Sequence, residues 1–465
     1  MCFSAPRRFF ARKNNVTCCN FYHFFINCMS MKTIGIGIIG FGCVGSGTVR
    51  ILQDNKDIIS RRLHGIDLRL KTICDRNIDQ KNTNFIDPNI SLVTDFEEIL
   101  NDPEIHIVTE LIGGINPAKE IILRALKSGK SVVTANKALL AEFGQEIFSA
   151  CNEKASIAFE AAVCGAIPIL RSIREGLSSD SIKAFYGILN GSTNFLLSEM
   201  ETHHRDFEEV LAEAKDKGYV ESDPSLDIDG LDAAHKVSLL AQMCFGMKVD
   251  FFSLSIQGIS EIESFDFIYA GKLGYTIKLI GMGKLTPKGE MILSVRPTLI
   301  PSQSILAKVS GSLNAVYIVG EKMGETMYFG RGAGDTPTGG SVSADIISLA
   351  RDIAFSNVSR VYPLSFGELF EGKVADLNEI FYPYYVRFVV KDQPGIIAAI
   401  AMILKKYDIN IDAVLQEPFM NRDRLPFVMT LEETSEENLL QAMIEIEKLD
   451  FLVKKPFFMR IDLLK

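Results

Sequence analysis

What this 465-residue chain lacks removes several classes of function. No apolar run free of Gly and charge reaches the roughly eighteen residues of a membrane-spanning helix, so no membrane partner is expected. Positive charge is in deficit: 49 Lys and Arg against 58 Asp and Glu leave a net charge of -9 and a pI near 5.4. Contact with nucleic-acid phosphates calls for clustered basic side chains, so no nucleic-acid partner is expected either. The nine cysteines include no Cys-x-x-Cys pair and no Cys/His spacing suited to zinc. Their odd count and scattered placement point to reduced thiols in a cytoplasmic protein. Residues 1–30 have no acidic side chain, yet hold four of the cysteines, three arginines, one lysine and six phenylalanines. They lack the clean apolar core and small-residue cleavage site of an export signal. Because Met31 directly precedes a strong strand signal, a disordered extension or a misplaced start is expected there.

What is present is a globular composition, 47% hydrophobic and 23% charged, over a length that suits two or three domains. From Lys32 an apolar, β-branched run leads into Gly40-Phe41-Gly42-Cys43-Val44-Gly45, and a helical pattern follows. In this G-x-G-x-x-G context Gly40 allows a tight turn, Gly42 lets backbone approach a pyrophosphate, and Gly45 lets helix and strand pack closely. The helix N-terminus then receives the phosphates. A second strand over residues 67–74 ends in Asp75-Arg76, where Asp75 suits a ribose diol and Arg76 a 2′-phosphate. The cofactor is thus NADP or NAD, with NADP slightly favoured. A strand at 105–111, a helix at 117–128 and a strand at 130–134 continue the alternation, which predicts an α/β fold with a Rossmann-type parallel sheet over residues 31–160. Ligands of such sheets lie at the C-terminal strand ends, so Lys137, after the loop at 134–136, is either a solvated loop lysine or sits beside the nicotinamide or substrate.

An α+β substrate-binding and dimerisation domain is expected over 161–342. It includes a strand at 182–189, a polar turn at 190–194, a helix from near Phe195, and further strands near 275–282 and 291–295. Its most informative stretch is GYVESDPSLDIDGLDAAHK, residues 218–236, which leads Glu221, Asp223, Asp227, Asp229 and Asp232 into an apolar run just after Lys236. Asp232 and Lys236 stand four apart and share one helix face, with the helix cap near Asp229 or Gly230. Alone, this stretch reads equally well as a solvated acidic loop with a surface ion pair. His235 lies about 100° away around the helix and reads as a packing residue. A helix near 343–357 is expected to pack back on the first domain, and 358–383 to act as a linker. Residues 384–465 follow the β-α-β-β-α-β order of a ferredoxin-like unit.

Taken in order, GIIGFGCVGSGTV, TANKALLA, EAAVCGAIPI, ILNGSTNF, GYVESDPSLDIDGLDAAHKVSLLA and GRGAGDTPTGGSVSADI resemble homoserine dehydrogenase, and Asp392-Gln393-Pro394-Gly395 before Ile396 resembles the first turn of an ACT domain. The resemblance implies reversible hydride transfer between a nicotinamide and C4 of aspartate semialdehyde, giving homoserine. It implies Lys236 as proton donor and acceptor, Glu221 and Asp232 as holders of the substrate ammonium, and Lys137 at the junction of cofactor and substrate. It further implies Gly334 close to the cofactor, and a sodium ion on Glu160 and the backbone oxygens of Val163, Gly165 and Ile167. For the C-terminal unit it implies an amino-acid effector such as threonine at residues 392–396, and for the whole a homodimer or homotetramer. A non-catalytic amino-acid sensor is the rival reading, and intact Lys137, Glu221, Asp232 and Lys236 speak against it. A kinase fusion is not expected, because about thirty residues cannot fold a kinase.

Overall fold

A computed structural model describes residues 31–464 except 217–219, 221–222, 359–360 and 418–420. The expectations for residues 1–30 and for Glu221 therefore fall outside the described residues.

The first sheet is parallel and six-stranded. It contains β1 (Lys32–Ile39), β2 (Ile66–Cys74), β3 (Ser91–Val93), β4 (Ile105–Glu110), β5 (Ser131–Thr134) and β6 (Ile157–Ala158), in the order β3-β2-β1-β4-β5-β6. The strands are apolar almost throughout because helices cover both faces, as a parallel sheet requires. Those helices include α1 (Cys43–Asp54), α2 (Lys56–Leu63), α3 (Ala118–Lys127) and α4 (Lys137–Ser149). Strand order reverses between β1 and β4, which opens a crevice at their C-terminal ends.

The second sheet is built on β7 (Ile182–Ile188), β8 (Tyr275–Leu285), β9 (Met291–Pro301), β10 (Leu313–Gly320) and β11 (Glu325–Arg331). Helices α5 (Gly191–His203), α6 (Leu231–Phe245) and α7 (Ser264–Lys272) come from the same stretch of chain. Helix α6 packs against α4 and against strands β8 and β9. It is buried on nearly every side, which explains an apolar composition with little amphipathic patterning.

Helix α8 (Asp335–Ala354) begins at Asp335, not near Ser343. The segment Asp335-Thr-Pro-Thr-Gly-Gly reads as a loop, yet Pro337 lies in the first turn, where a missing N–H costs nothing. A side chain at Gly339 would collide with the Gly47–Thr48 backbone of α1, so this glycine serves close helix packing. Val342, Ile346, Leu349 and Ala350 then join the core of the first sheet.

The last strands, β12 (Phe381–Val390), β13 (Ile411–Leu415), β14 (Leu425–Ser435) and β15 (Phe457–Ile461), alternate with α9 (Ile396–Lys406) and α10 (Glu436–Ile446) in the ferredoxin-like order. They do not form a detached sheet. Thr298 and Leu299 of β9 pair in parallel with Arg460 and Ile461 of β15, which merges everything from β11 to β13 into one ten-stranded sheet with the short strand Ser255–Ile256. The segment expected as a linker is also tied down, with Phe370 bonded to Gly246 and Ala375 to Met291 through backbone.

Candidate active site

The glycine-rich turn between β1 and α1 is tight and closely packed. Gly40 holds φ +103°, and a Cβ on Gly45 would strike the Gly40 carbonyl. Nothing lies within 4 Å of the position a Cβ on Gly42 would take, and α1 starts there with no side chain capping it. Amides at the start of α1, on exposed Cys43 and half-buried Val44, are left for an anion. Phe41 is buried and its N–H donates to Asp75 Oδ2 at 2.8 Å. Asp75 also accepts from the Asn77 N–H at 2.9 Å and from the Lys81 ammonium, so its carboxylate braces the turn rather than standing free for a ribose. Burial works against its charge, but Lys81 and the two amides hold its carboxyl below the usual range. Arg76, one residue on, is exposed.

Across the crevice, α6 presents Lys236, only 7% exposed. Its Nζ donates to the Leu189 carbonyl at 2.6 Å and to Asp232 Oδ2 at 2.7 Å, leaving one of three ammonium protons uncommitted. Burial would lower its pKa, but the Asp232 charge, aided by Cys164 and Asp227, outweighs burial and holds it above 10.5. Lys236 is therefore an ammonium at neutral pH and is not tuned downward. Asp232 is 9% exposed and is held well below the carboxylate range, because Lys236 and Lys137 together overcome its burial. Lys137, the first residue of α4, lies with its Nζ 3.1 Å from Asp232 Oδ1, its side chain 37% exposed. One carboxylate thus joins a lysine from the first sheet's layer to a lysine from the second's.

Sequence reasoning gave Asn190 no role, although it orders this cluster. Its Nδ2 donates to Asp232 at 2.8 Å and to Asp227 at 2.7 Å, while its Oδ1 caps α5 at the Thr193 N–H. An Asn before a helix signals the cap, but no local signal points to a carboxylate 42 positions away. Asp223 accepts from the Ser225 backbone, and Asp229 ends a short helix, so both shape the loop. His235 stacks on Phe251 at 4.6 Å, and burial lowers its pKa. Gly334, with φ +124°, is the residue before α8.

Glu160 is buried, and its two oxygens accept the Leu170 and Arg171 amides at 2.8 and 2.9 Å. Burial, with Asp345 close by, pushes its carboxyl up to about 7. Asp345 accepts the Glu160 amide at 2.7 Å and pairs with Arg171 at 2.9 Å. Val163 and Ile167 are buried on the same turn, and the Gly165 carbonyl accepts from Ser341. Two buried carboxyls thus stand beside these backbone carbonyls, with Arg171 paired to Asp345 and Arg174 adding its charge.

At the C-terminal unit, Asp392, Gln393, Gly395 and Ile396 line a cavity of about 350 Å³ with Gln416 and Phe427. Pro394 belongs to the same turn and is exposed. Among the described residues no helix is long and apolar enough to cross a membrane.

Comparison with known proteins agrees with this layout. Residues 40–160 match the family model of the homoserine dehydrogenase NAD-binding domain, 168–347 that of homoserine dehydrogenase, and 384–451 that of the ACT domain. The homoserine dehydrogenase of Neisseria gonorrhoeae is 41% identical over 432 residues, which cover 92% of this chain and 98% of that one. That of Bacillus subtilis is 37% identical, covering 90% and 96%. The crystal structure of a homoserine dehydrogenase from Thiobacillus denitrificans superposes with TM-score 0.88 at 38% identity, covering 94% of this chain and all of that one. A hyperthermophilic archaeal homoserine dehydrogenase mutant solved with NADPH covers 68% of this chain and 97% of its own at 28% identity and TM-score 0.58. With both catalytic models and the ACT model matched in order, and relatives aligned over nine tenths of its length, this chain belongs to the homoserine dehydrogenase family.

Proposed function

We propose that this chain interconverts L-homoserine and L-aspartate 4-semialdehyde, with Lys236 as the group that moves the proton. The observation that carries the reading is the sharing of Asp232 by Lys137 and Lys236 across the crevice. When bound, the nicotinamide supplies or accepts the hydride at C4 of the substrate. In the reduction, the Lys236 ammonium gives its uncommitted proton to the carbonyl oxygen as that oxygen gains charge. Its resting state suits that direction, since Asp232 keeps it protonated. In the oxidation the hydroxyl proton returns to the amine. Asp232 holds Lys236 in place and, with Glu221, receives the substrate ammonium, while Lys137 orients the substrate at the cofactor edge. Gly40 to Gly45 and Gly334 would hold the dinucleotide. Exposed Arg76 beside an Asp75 already paired with Lys81 favours NADP over NAD, because a 2′-phosphate meets a guanidinium and no free carboxylate.

The same reading divides the chain into a dinucleotide-binding unit over 31–160, a substrate-binding and oligomerisation unit over 161–342 and a regulatory unit over 384–465. Glu160 and the oxygens of Val163, Gly165 and Ile167 would hold a sodium ion, supported by a buried carboxyl beside backbone carbonyls on one turn. The cavity at residues 392–396 takes an amino-acid effector, threonine first. A homodimer or homotetramer is supported by β11, an edge strand of the second sheet with Phe329 65% exposed. One assay series tests the whole reading: oxidation of L-homoserine with NADP and with NAD, each with and without threonine. Turnover with NADP ahead of NAD, and inhibition by threonine that Gln393→Ala weakens, are expected. No turnover with either cofactor would overturn the assignment.

A further inference from the structure

We propose that Glu110 is a positioning residue for hydride transfer, fixing the N-terminus of α4 and with it the Lys137 ammonium. The inference rests on the role given to Lys137 above.

Glu110 is the last residue of β4 and is fully buried. No cationic side chain pairs with it among the described residues, so its charge is met by hydrogen bonds alone. Burial pushes its pKa up, against the pull of those bonds. An acid in that position is a poor choice for core stability and needs another reason to stand there.

Its bonds supply the reason. Oε1 accepts the Ile112 and Gly113 amides at 2.9 and 3.2 Å, and Oε2 accepts the Thr134 hydroxyl at 2.6 Å. Thr134 Oγ1 in turn accepts the Asn136 amide at 3.0 Å. Asn136 caps α4 through the Leu139 amide at 3.2 Å and donates its Nδ2 to the Gly114 carbonyl at 2.6 Å. One carboxylate therefore closes a ring that joins the loop after β4 to the loop after β5. Lys137 is the next residue, 3.1 Å from Asp232. Both loops sit at the C-terminal strand ends next to the reversal of strand order, where the nicotinamide end of a dinucleotide lies in such folds.

A carboxylate suits this place because its Oε2 takes the Thr134 hydroxyl proton while Thr134 Oγ1 accepts the Asn136 amide. A glutamine can still accept the two loop amides with its oxygen, but then turns its NH₂ toward the donating hydroxyl. That NH₂ can meet only the second lone pair of Thr134 Oγ1, so the bond reverses, the hydroxyl proton loses its buried acceptor, and the start of α4 is held less firmly to β4. The phosphate turn is braced separately, by Asp75 on the Phe41 amide, so cofactor affinity and Lys137 placement are separable.

The test uses the full-length chain with Glu110→Gln, Thr134→Val and Thr134→Ser. For each, kcat for homoserine oxidation per folded enzyme, the NADPH Kd by fluorescence titration and the Tm are measured. Glu110→Gln and Thr134→Val should each lower kcat by about tenfold or more while the NADPH Kd stays within about threefold, since small misplacements cost turnover more than binding. Thr134→Ser keeps the hydroxyl and should recover most of the loss. A kcat within about twofold of wild type in both variants overturns the proposal, as does a Kd that weakens by the same factor as kcat, which marks a merely structural role. If Glu110→Gln does not fold, the two Thr134 variants decide. Wild-type kcat in Lys137→Ala would remove the reading of Lys137 and this proposal with it. Undiminished kcat in both Glu110→Gln and Thr134→Val beside an impaired Lys137→Ala removes this proposal alone.

Discussion

Glu436 lies between Arg296 and Arg460 where the C-terminal strands join the second sheet, and Asp232 lies between Lys137 and Lys236 in the crevice. Both are a buried acid shared by two cations. At the sheet junction Arg460 spends one terminal amino group on Glu436 and the other on Ser294 Oγ at 3.2 Å, and its guanidinium covers the Tyr382 ring at 4.9 Å. Arg296 pairs with Glu436 at 2.5 Å and reaches Ser255 as well. Arginine is charged at any working pH, so this acid and its two forks can only pin α10, β15 and β9 together. In the crevice the cations are lysines, one keeps a spare proton, and the other is partly open to solvent. The same charge pattern is a rivet with arginine and a proton site with lysine.

The two clusters should differ most at Asp232. Asp232→Asn leaves two cations without their shared counter-charge, and kcat should fall about a hundredfold, with about 3 kcal/mol of stability lost in urea unfolding. Glu436→Gln should cost a similar amount, about 3–5 kcal/mol, because two buried guanidinium groups lose their partner. Its kcat per folded enzyme should stay near wild type, and a large loss there would make the junction part of the catalytic apparatus.

The smallest effect concerns Glu160. Its carboxyl is raised from 4.5 to about 7, so its contribution to stability is complete below pH 4.5 and lost as pH rises through about 7. In choline chloride, Tm should therefore decline between pH 5 and pH 8. Sodium chloride at equal ionic strength should restore about 2–4 °C at pH 8 if the ion binds the carboxylate form. Equal Tm values in the two salts would remove the sodium site.

Local signals were legible and couplings between distant elements were not. Gly40, Gly42 and Gly45 announce their turn because strand, glycines and helix are contiguous, and residues 384–465 show their order through short-range periodicity. Asp232 and Lys236 could be paired from their helical spacing alone. The bond from Asn190 to Asp232, the ring through Glu110 and Thr134, and the pairing of β9 with β15 join segments far apart in the chain. No periodicity encodes such contacts. The early start of α8 was hidden for a different reason, since Pro337 and Gly339 look like loop residues until α1 is seen against them. Glu110 carried one readable signal, an acid ending a buried strand.

The most direct test of the lysine–arginine contrast is the kcat of Lys236→Arg for homoserine oxidation at saturating NADP. Arginine keeps the charge on Asp232 but cannot exchange a proton, so kcat should drop about a thousandfold while the NADPH Kd changes by less than about threefold. A Lys236→Arg enzyme that turns over within about tenfold of wild type would contradict the account, because charge alone would then suffice at that position.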